Sequence, residues 1–446
     1  MTDKKRVAIN DRVVAIKCAT QHKVRYDASN QRHERYDATH GLWMAVHEVE
    51  VARMLDDLLV ELGQTFGQQE AVARITAAKL SALAKMMRPH DLKVEAEATA
   101  GLVHVANGVL SLNGRKPELL AHDAKYLFHQ SSEIQFNPKA RCPKFLEKFL
   151  APALDKNDIV LLQKYCGSML LGPNTCHGIM VVRGTPGGGK STLVSIVEKI
   201  IGEHNVAHLR TGLLGGRFET SAFLGKRLLV GKDVPGDTLA VSGAKMLKSL
   251  VGGDLLQAEV KFDPHKKLVR GDFQVIIVSN NKLRIALDGD EDAWRRRLLV
   301  VDFKNPKPKH PIPNLAEKLF AQEGSGILNW MIEGAAEYSA EMKEHGYLRL
   351  TEEQENRIDT LLEDSDNVPV FVNRCLAEKK GADVTSEELL LGYYRVCKSE
   401  SWTPVSSHAF QSRVPDLLAQ LFKTTRRNDI ARHGKAARGY KGLSLV

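Results

Sequence analysis

The run Gly184-Thr185-Pro186-Gly187-Gly188-Gly189-Lys190-Ser191 has the residue types and spacing of a phosphate cradle, G-x-x-x-x-G-K-[ST]. Its glycines let the backbone turn so that N–H groups converge on phosphate oxygens, and the helix that begins near Thr192 presents its positive end to the same anion. Lys190 is placed to hold β and γ phosphates, and the Ser191 hydroxyl is an oxygen donor suited to Mg2+. An apolar run precedes the loop and a helical stretch follows it, the strand-loop-helix setting that such a cradle requires.

A phosphate cradle alone does not separate kinases, GTPases and motor ATPases. Three downstream features favour a motor. RLLVGKD ends in Asp233, whose carboxylate can reach magnesium or polarise an attacking water. FQVIIVS delivers Ser279, Asn280 and Asn281 at the strand end where open α/β sheets place ligands, and an amide there can orient water near a γ phosphate. Trp294-Arg295-Arg296-Arg297 supplies cations able to act as fingers on a neighbouring subunit's γ phosphate, which implies a ring, although spacing does not choose among the arginines. The plain alternatives are a solvated loop aspartate, a turn asparagine and an exposed basic run. Asn281-Lys282 opens like the guanine-reading motif of GTPases, yet Arg284 stands where that motif needs an aspartate.

These groups can meet only if a sheet brings their strand ends to one edge. GIMVVR (178 to 183), NVAHLR (205 to 210), RLLVGKD (227 to 233), FQVIIVS (273 to 279) and RLLVVDF (297 to 303) are short, apolar and interleaved with helical stretches, the pattern of a five-stranded parallel α/β sheet. Around this core, at 151–310, the sequence suggests a basic flexible arm over 1–40 and a helical and mixed collar over 41–150. A helical linker or lid is expected over 311–366 and a winged-helix-like unit over 367–446, where Thr385 and Glu388 spell a capping box. The terminal KTTRRNDIARHGKAARGYKGLSLV reads either as a DNA-touching wing or as a flexible basic tail.

The chain of 446 residues is long enough for two or three domains, and its 43% hydrophobic and 26% charged content is that of a folded globular protein. A net charge of +9 suits a polyanionic partner such as nucleic acid. The six cysteines show no zinc or disulfide spacing, MTDKKRVAIN lacks the apolar core of a signal peptide, and no long apolar run suggests a membrane span, so a reducing cytoplasm is expected.

Taken in order, LLQKYCGSMLLG, GTPGGGKST, FLGKRLLVGKD, MLKSLVGGD, VIIVSNN and WRRRLLVVDF resemble the superfamily 3 helicases of the phage, plasmid and poxvirus primase-helicase type, from about residue 100 to the C-terminus. The resemblance implies an AAA+-like core and a homo-hexameric ring that hydrolyses ATP with Mg2+ while threading single-stranded DNA. Lys190 and Ser191 fall on the phosphate-loop pair, Asp233 on the acidic motif, Asn280 on the polar sensor, and Arg296 with Arg297 on the finger region. Between Asp233 and the sensor, LLQAEVKFDPHKKLVRGDF falls where this superfamily inserts a pore hairpin, with Lys261, His265, Lys266 and Lys267 as candidate DNA contacts or, in the plain reading, an exposed basic turn. The acidic motif reads Gly231-Lys232-Asp233, leaving one carboxylate to serve both metal and water. With about a hundred residues ahead of the shared region, a primase domain is not expected and a separate primase or polymerase is the partner implied. An origin-binding initiator that does not unwind processively and a small-molecule kinase are the competing functions.

Overall fold

The computed structural model describes residues 10–28, 30–90, 100–114, 116–236, 239, 243–261, 266–280, 283–287, 290–305, 308–400, 402, 404–432 and 434–446. His265, Asn281 and Lys282 lie outside the described residues.

The flexible arm expected over 1–40 is instead folded from Asp11 onward, as α1 (Asp11–Gln21), β1 (Val24–Asp27) and β2 (Arg32–Asp37), which with β3 (Leu42–Val46) make an antiparallel sheet. No apolar alternation announces this sheet because β2 buries a charge instead. Glu34 is fully buried and receives Arg25, Arg32 and His129. Burial alone would raise its carboxyl, but these hydrogen bonds hold it at about 2. Helices α2 (Glu48–Thr65), α3 (Gln69–Val72) and α4 (Ala77–Met87) follow, with Val51, Leu55, Leu58 and Leu83 packed against Val14 and Cys18 of α1. β4 (Leu102–Val105) and β5 (Gly108–Ser111) form a hairpin, joined by β6 (Glu118–Leu120). PKFLEKFL forms a π-helical segment, Lys144–Leu150, where the Glu323 carboxylate accepts from the Lys144 and Phe145 N–H groups at 3.0 and 2.8 Å.

The core runs α5 (Lys156–Leu171), β7 (Ile179–Gly184), α6 (Lys190–Ile201), β8 (Val206–His208), β9 (Leu228–Gly231), α7 (Ala244–Val251), β10 (Leu255–Ala258), β11 (Lys267–Arg270), β12 (Gln274–Ser279), α8 (Glu291–Arg295) and β13 (Leu298–Phe303). Five strands form one parallel sheet in the order β13-β7-β12-β9-β8. Met180, Val182, Ile276 and Val278 face one apolar core while Ile179, Val181, Val275 and Ile277 face the other. Burial on both faces explains why these strands read as continuous apolar runs. The buried Tyr165 hydroxyl ties α5 to the sheet, accepting from Val275 N–H at 2.9 Å.

Beyond the core come α9 (Leu315–His345), α10 (Glu352–Ser365), α11 (Asn367–Cys375), β14 (Leu376–Thr385), α12 (Ser386–Ser399), α13 (Ser407–Phe422), β15 (Arg427–Arg432) and β16 (Lys435–Leu445). The capping box of Thr385 and Glu388 opens α12 as the sequence suggested. The basic C-terminal run is the β15–β16 hairpin, in an antiparallel sheet of order β14-β16-β15. Among the described residues, no helix is long and apolar enough to cross a membrane.

Candidate functional site

The glycine-rich loop joins β7 to α6, and its shape depends on residues without side chains. Gly184 has φ +144° and Gly189 φ +103°; a Cβ on Gly184 would collide with the Phe303 carbonyl oxygen, and one on Gly189 would press on the Phe149 ring. Gly184 and Gly189 flank Thr185, Pro186 and Gly187, all exposed, and Gly188, which is buried. Thr185 donates to the Asn305 carbonyl at 3.0 Å, anchoring the loop to the chain that leaves β13. Lys190 is buried, and its ammonium donates to the carbonyls of Gly184 and Thr185 at 2.8 Å each. Burial pushes that ammonium below the ordinary lysine value, with Asp233 opposing the shift. A buried ammonium that finds only loop carbonyls, beside a carboxylate, is poised to exchange them for anionic oxygens. Ser191 is exposed and Thr192 half-buried at the start of α6.

Asp233 follows β9 and Asn280 follows β12, neighbouring strands that end at the same edge as the loop. Asn280 Nδ2 donates to Asp233 Oδ1 at 3.1 Å. Asp233 has the left-handed φ of +50°, an uncommon conformation for a residue with a side chain and one that concentrates at functional sites. Val234 N donates to the Val278 carbonyl at 2.8 Å and Ser279 Oγ to the Val234 carbonyl at 2.9 Å, locking the two strand ends together. Ser191 and Asp233 offer a hydroxyl and a carboxylate, hard oxygen donors that fit Mg2+, which takes few protein ligands beside phosphates and water. Among the described residues, no group of three or more His, Cys, Asp and Glu side chains is arranged to hold a metal by itself.

The arginines stand elsewhere. Leu298 of β13 pairs with Ile179 at the start of β7, whereas Phe303 pairs with Gly184 at the loop. Arg296 and Arg297 therefore lie at the opposite edge of the sheet, a strand length of roughly 17 Å from the loop of the same chain. The three arginines differ in what they touch. Arg295 pairs with Glu291 at 3.1 Å and with Asp359. Arg297 is half-buried and donates to the Ala293 carbonyl at 2.7 Å. Arg296 is exposed, and its guanidinium makes no hydrogen bond or ion pair with any described residue.

The segment between Asp233 and Asn280 holds an antiparallel hairpin of β10 and β11, with Ala258 opposite Lys267. Its cations have partners: Lys266 lies 3.2 Å from Glu259, and Lys267 donates to Asn30 at 3.2 Å. Sequence reasoning missed the neighbours that the fold supplies. Arg217 pairs with Glu259 at 2.5 Å, and the exposed Phe218 ring lies under both Arg217 and Lys261, at 5.4 and 5.9 Å. The signal was a cation beside an aromatic after the paired glycines of Gly215-Gly216-Arg217-Phe218, but proximity to the hairpin is a tertiary fact.

Residues 8–154 match the family described as "D5 N terminal like", and residues 182–297 match "Family of unknown function (DUF5906)". No curated protein matches. Among solved structures, the apo structure of the NrS-1 C terminal region (305–718) aligns with TM-score 0.51 at 12% identity, covering 97% of this chain and 99% of that one. The A form apo structure of the same region aligns with TM-score 0.50 at 11% identity, covering 97% and 100%. The chain thus shares its fold with that region.

Proposed function

We propose that this chain is an ATP-driven DNA motor that assembles as a ring, most simply the hexamer implied by its resemblance to superfamily 3 helicases. The observation that carries the reading is the separation within one chain. The phosphate loop, Asp233 and Asn280 share one edge of the sheet, while Arg296, which pairs with no described residue, occupies the opposite edge. An arginine so placed serves a nucleotide only from another copy. The sheet order, with the loop strand β7 between β13 and β12 and with β8 at the far edge, supports an AAA+-like P-loop core.

In this reading Lys190 and the loop N–H groups bind the β and γ phosphates, Ser191 and Asp233 hold Mg2+, and Asp233 with Asn280 orients the attacking water. Held by Ser191 and Asp233, magnesium would supply neutralisation of negative charge at the phosphates. Arg296 of the adjoining copy stabilises the same charge, and Arg297 supports the turn that presents it. The β10–β11 hairpin, with Lys261, Lys266, Lys267 and the Phe218 ring, forms a cationic and aromatic face suited to single-stranded DNA without reading its sequence. The match to the D5 N terminal like family supports a place in phage or plasmid replication, in the host or infected-cell cytoplasm and alongside a separate primase or polymerase.

Single-turnover unwinding of a forked duplex tests the proposal. The full chain with ATP and magnesium should separate the strands and Lys190→Ala should not; equal behaviour of the two would overturn the reading. A second reading, an ATP-gated initiator on origin duplex, is favoured by the C-terminal order of helix, strand, two helices and basic hairpin, which supports a winged-helix reading. Strong sequence preference in DNA binding with negligible DNA-stimulated hydrolysis would select it.

A further inference from the structure

Beside the candidate nucleotide site, Lys232 Nζ and Glu198 Oε2 form an ion pair at 2.7 Å that none of the roles above requires. Glu198 lies on α6, two turns beyond Ser191, and its side chain is only 12% exposed. Lys232 immediately precedes Asp233, so two opposite charges stand side by side in sequence at the end of β9. The acidic strand thus carries an ammonium next to the carboxylate assigned to the metal, and α6 supplies a second carboxylate that occupies it.

The sheet order makes this contact specific. β12 lies between β7 and β9, so α6, which continues from β7, reaches across a strand to meet the end of β9. Adjacent Cα atoms are about 3.8 Å apart, and a lysine stem is long and flexible, so an ammonium released from Glu198 can fold onto its neighbour's carboxylate.

We propose that Glu198 is a positioning residue for the metal side of the site: it holds the Lys232 ammonium away from Asp233, leaving that carboxylate to a divalent cation. The inference rests on the reading of Ser191 and Asp233 as the magnesium side of a nucleotide site. Removing the Glu198 charge frees the ammonium to compete with the metal for Asp233 and to repel it. Removing both charges removes the competitor.

The test uses the full chain, with Mn2+ binding in the presence of ADP read by electron paramagnetic resonance, and binding of a fluorescent ADP analogue in chelator read separately. Glu198→Gln should raise the Mn2+ Kd about tenfold, the lower end of what a charge within reach of a carboxylate does. Its metal-free ADP affinity should stay within about twofold of the parent, because only the metal side is disturbed. Combining Glu198→Gln with Lys232→Gln should bring the Mn2+ Kd back to within about twofold of the parent, a recovery that a merely structural strap would not give. Parent-like Mn2+ binding by Glu198→Gln, or a double variant as weak as the single one, would overturn the inference while leaving the nucleotide site intact. A parent chain that binds the ADP analogue neither with nor without metal would overturn the inference and the reading of the site together.

Discussion

Asn280 donates from Nδ2 to the Asp233 carboxylate across 3.1 Å, joining the ends of two neighbouring strands at the edge where the glycine-rich loop also lies. The bond aims one carboxylate oxygen and leaves the other for a metal or a water. Removing the amide should therefore affect chemistry more than binding. Asn280→Ala should lower kcat by about 10² with little change in KM, as expected for a group that positions a reactant. Steady-state hydrolysis checks this, and a KM effect larger than the kcat effect would count against the assigned role. Asp233→Asn should retain nucleotide in chelator and lose the magnesium-dependent gain in affinity.

Lys190 is folded onto the Gly184 and Thr185 carbonyls at 2.8 Å, a ready conformation that phosphate oxygens can replace. Lys190→Ala should cut hydrolysis by at least about 10², in the range set by removing one preorganised donor from a developing charge. Thermal stability should change little, because its partners are loop carbonyls of the half-buried Gly184 and the exposed Thr185, within reach of water.

The three neighbouring arginines should separate by variant. Arg296→Ala should lower hydrolysis by about 10³ or more if it acts as the finger. Arg295→Ala removes contacts with Glu291 and Asp359 at half-exposed sites and should cost less than about 1 kcal/mol of stability. Arg297→Ala removes a half-buried side chain bonded to the Ala293 carbonyl and should be read first in stability. Hydrolysis and chemical denaturation, measured side by side, distinguish the three.

Tyr165→Phe tests the base of the core. It removes the hydroxyl that accepts from Val275 N–H at 2.9 Å in a fully buried position, leaving that N–H without a partner. A loss of about 1–3 kcal/mol in denaturant titration is expected.

Acid should destabilise the β4–β6 sheet through His104 of β4. Burial, and then the neighbouring His122, push its pKa down from 6.5 to about 4. Between those values the unfolded chain binds the proton that the folded chain refuses, so the stabilising contribution is complete above about 6.5 and falls as the pH drops towards 4. From pH 6.5 to 5 the loss is about 1–2 kcal/mol. His104→Gln should flatten that part of the stability profile, and an unchanged slope would contradict the assignment.

The inner core strands were legible because they are buried on both faces and so written in Val, Ile and Leu; GIMVVR and FQVIIVS fall within a residue of Ile179–Gly184 and Gln274–Ser279, whereas the edge strand β8 is buried only at Ala207. The strand-loop-helix turn at Gly184 to Lys190 was legible because its shape needs glycines at the positive φ of Gly184 and Gly189. The β1–β3 sheet was not, since Glu34, Arg25, Arg32 and His129 satisfy one another only after folding and leave no apolar period. Nor could spacing separate Arg296 from Arg295 and Arg297. That distinction depends on Asp359 and Ala293, partners defined by the fold.

Hydrolysis by mixed subunits tests the shared site most directly. Lys190→Ala and Arg296→Ala chains are each expected to be inactive alone, but in the proposed ring an equal mixture would contain interfaces that pair an intact loop with an intact arginine. The account predicts hydrolysis by the mixture well above either variant alone. A mixture no more active than its components, under conditions where the variants co-assemble, would contradict it.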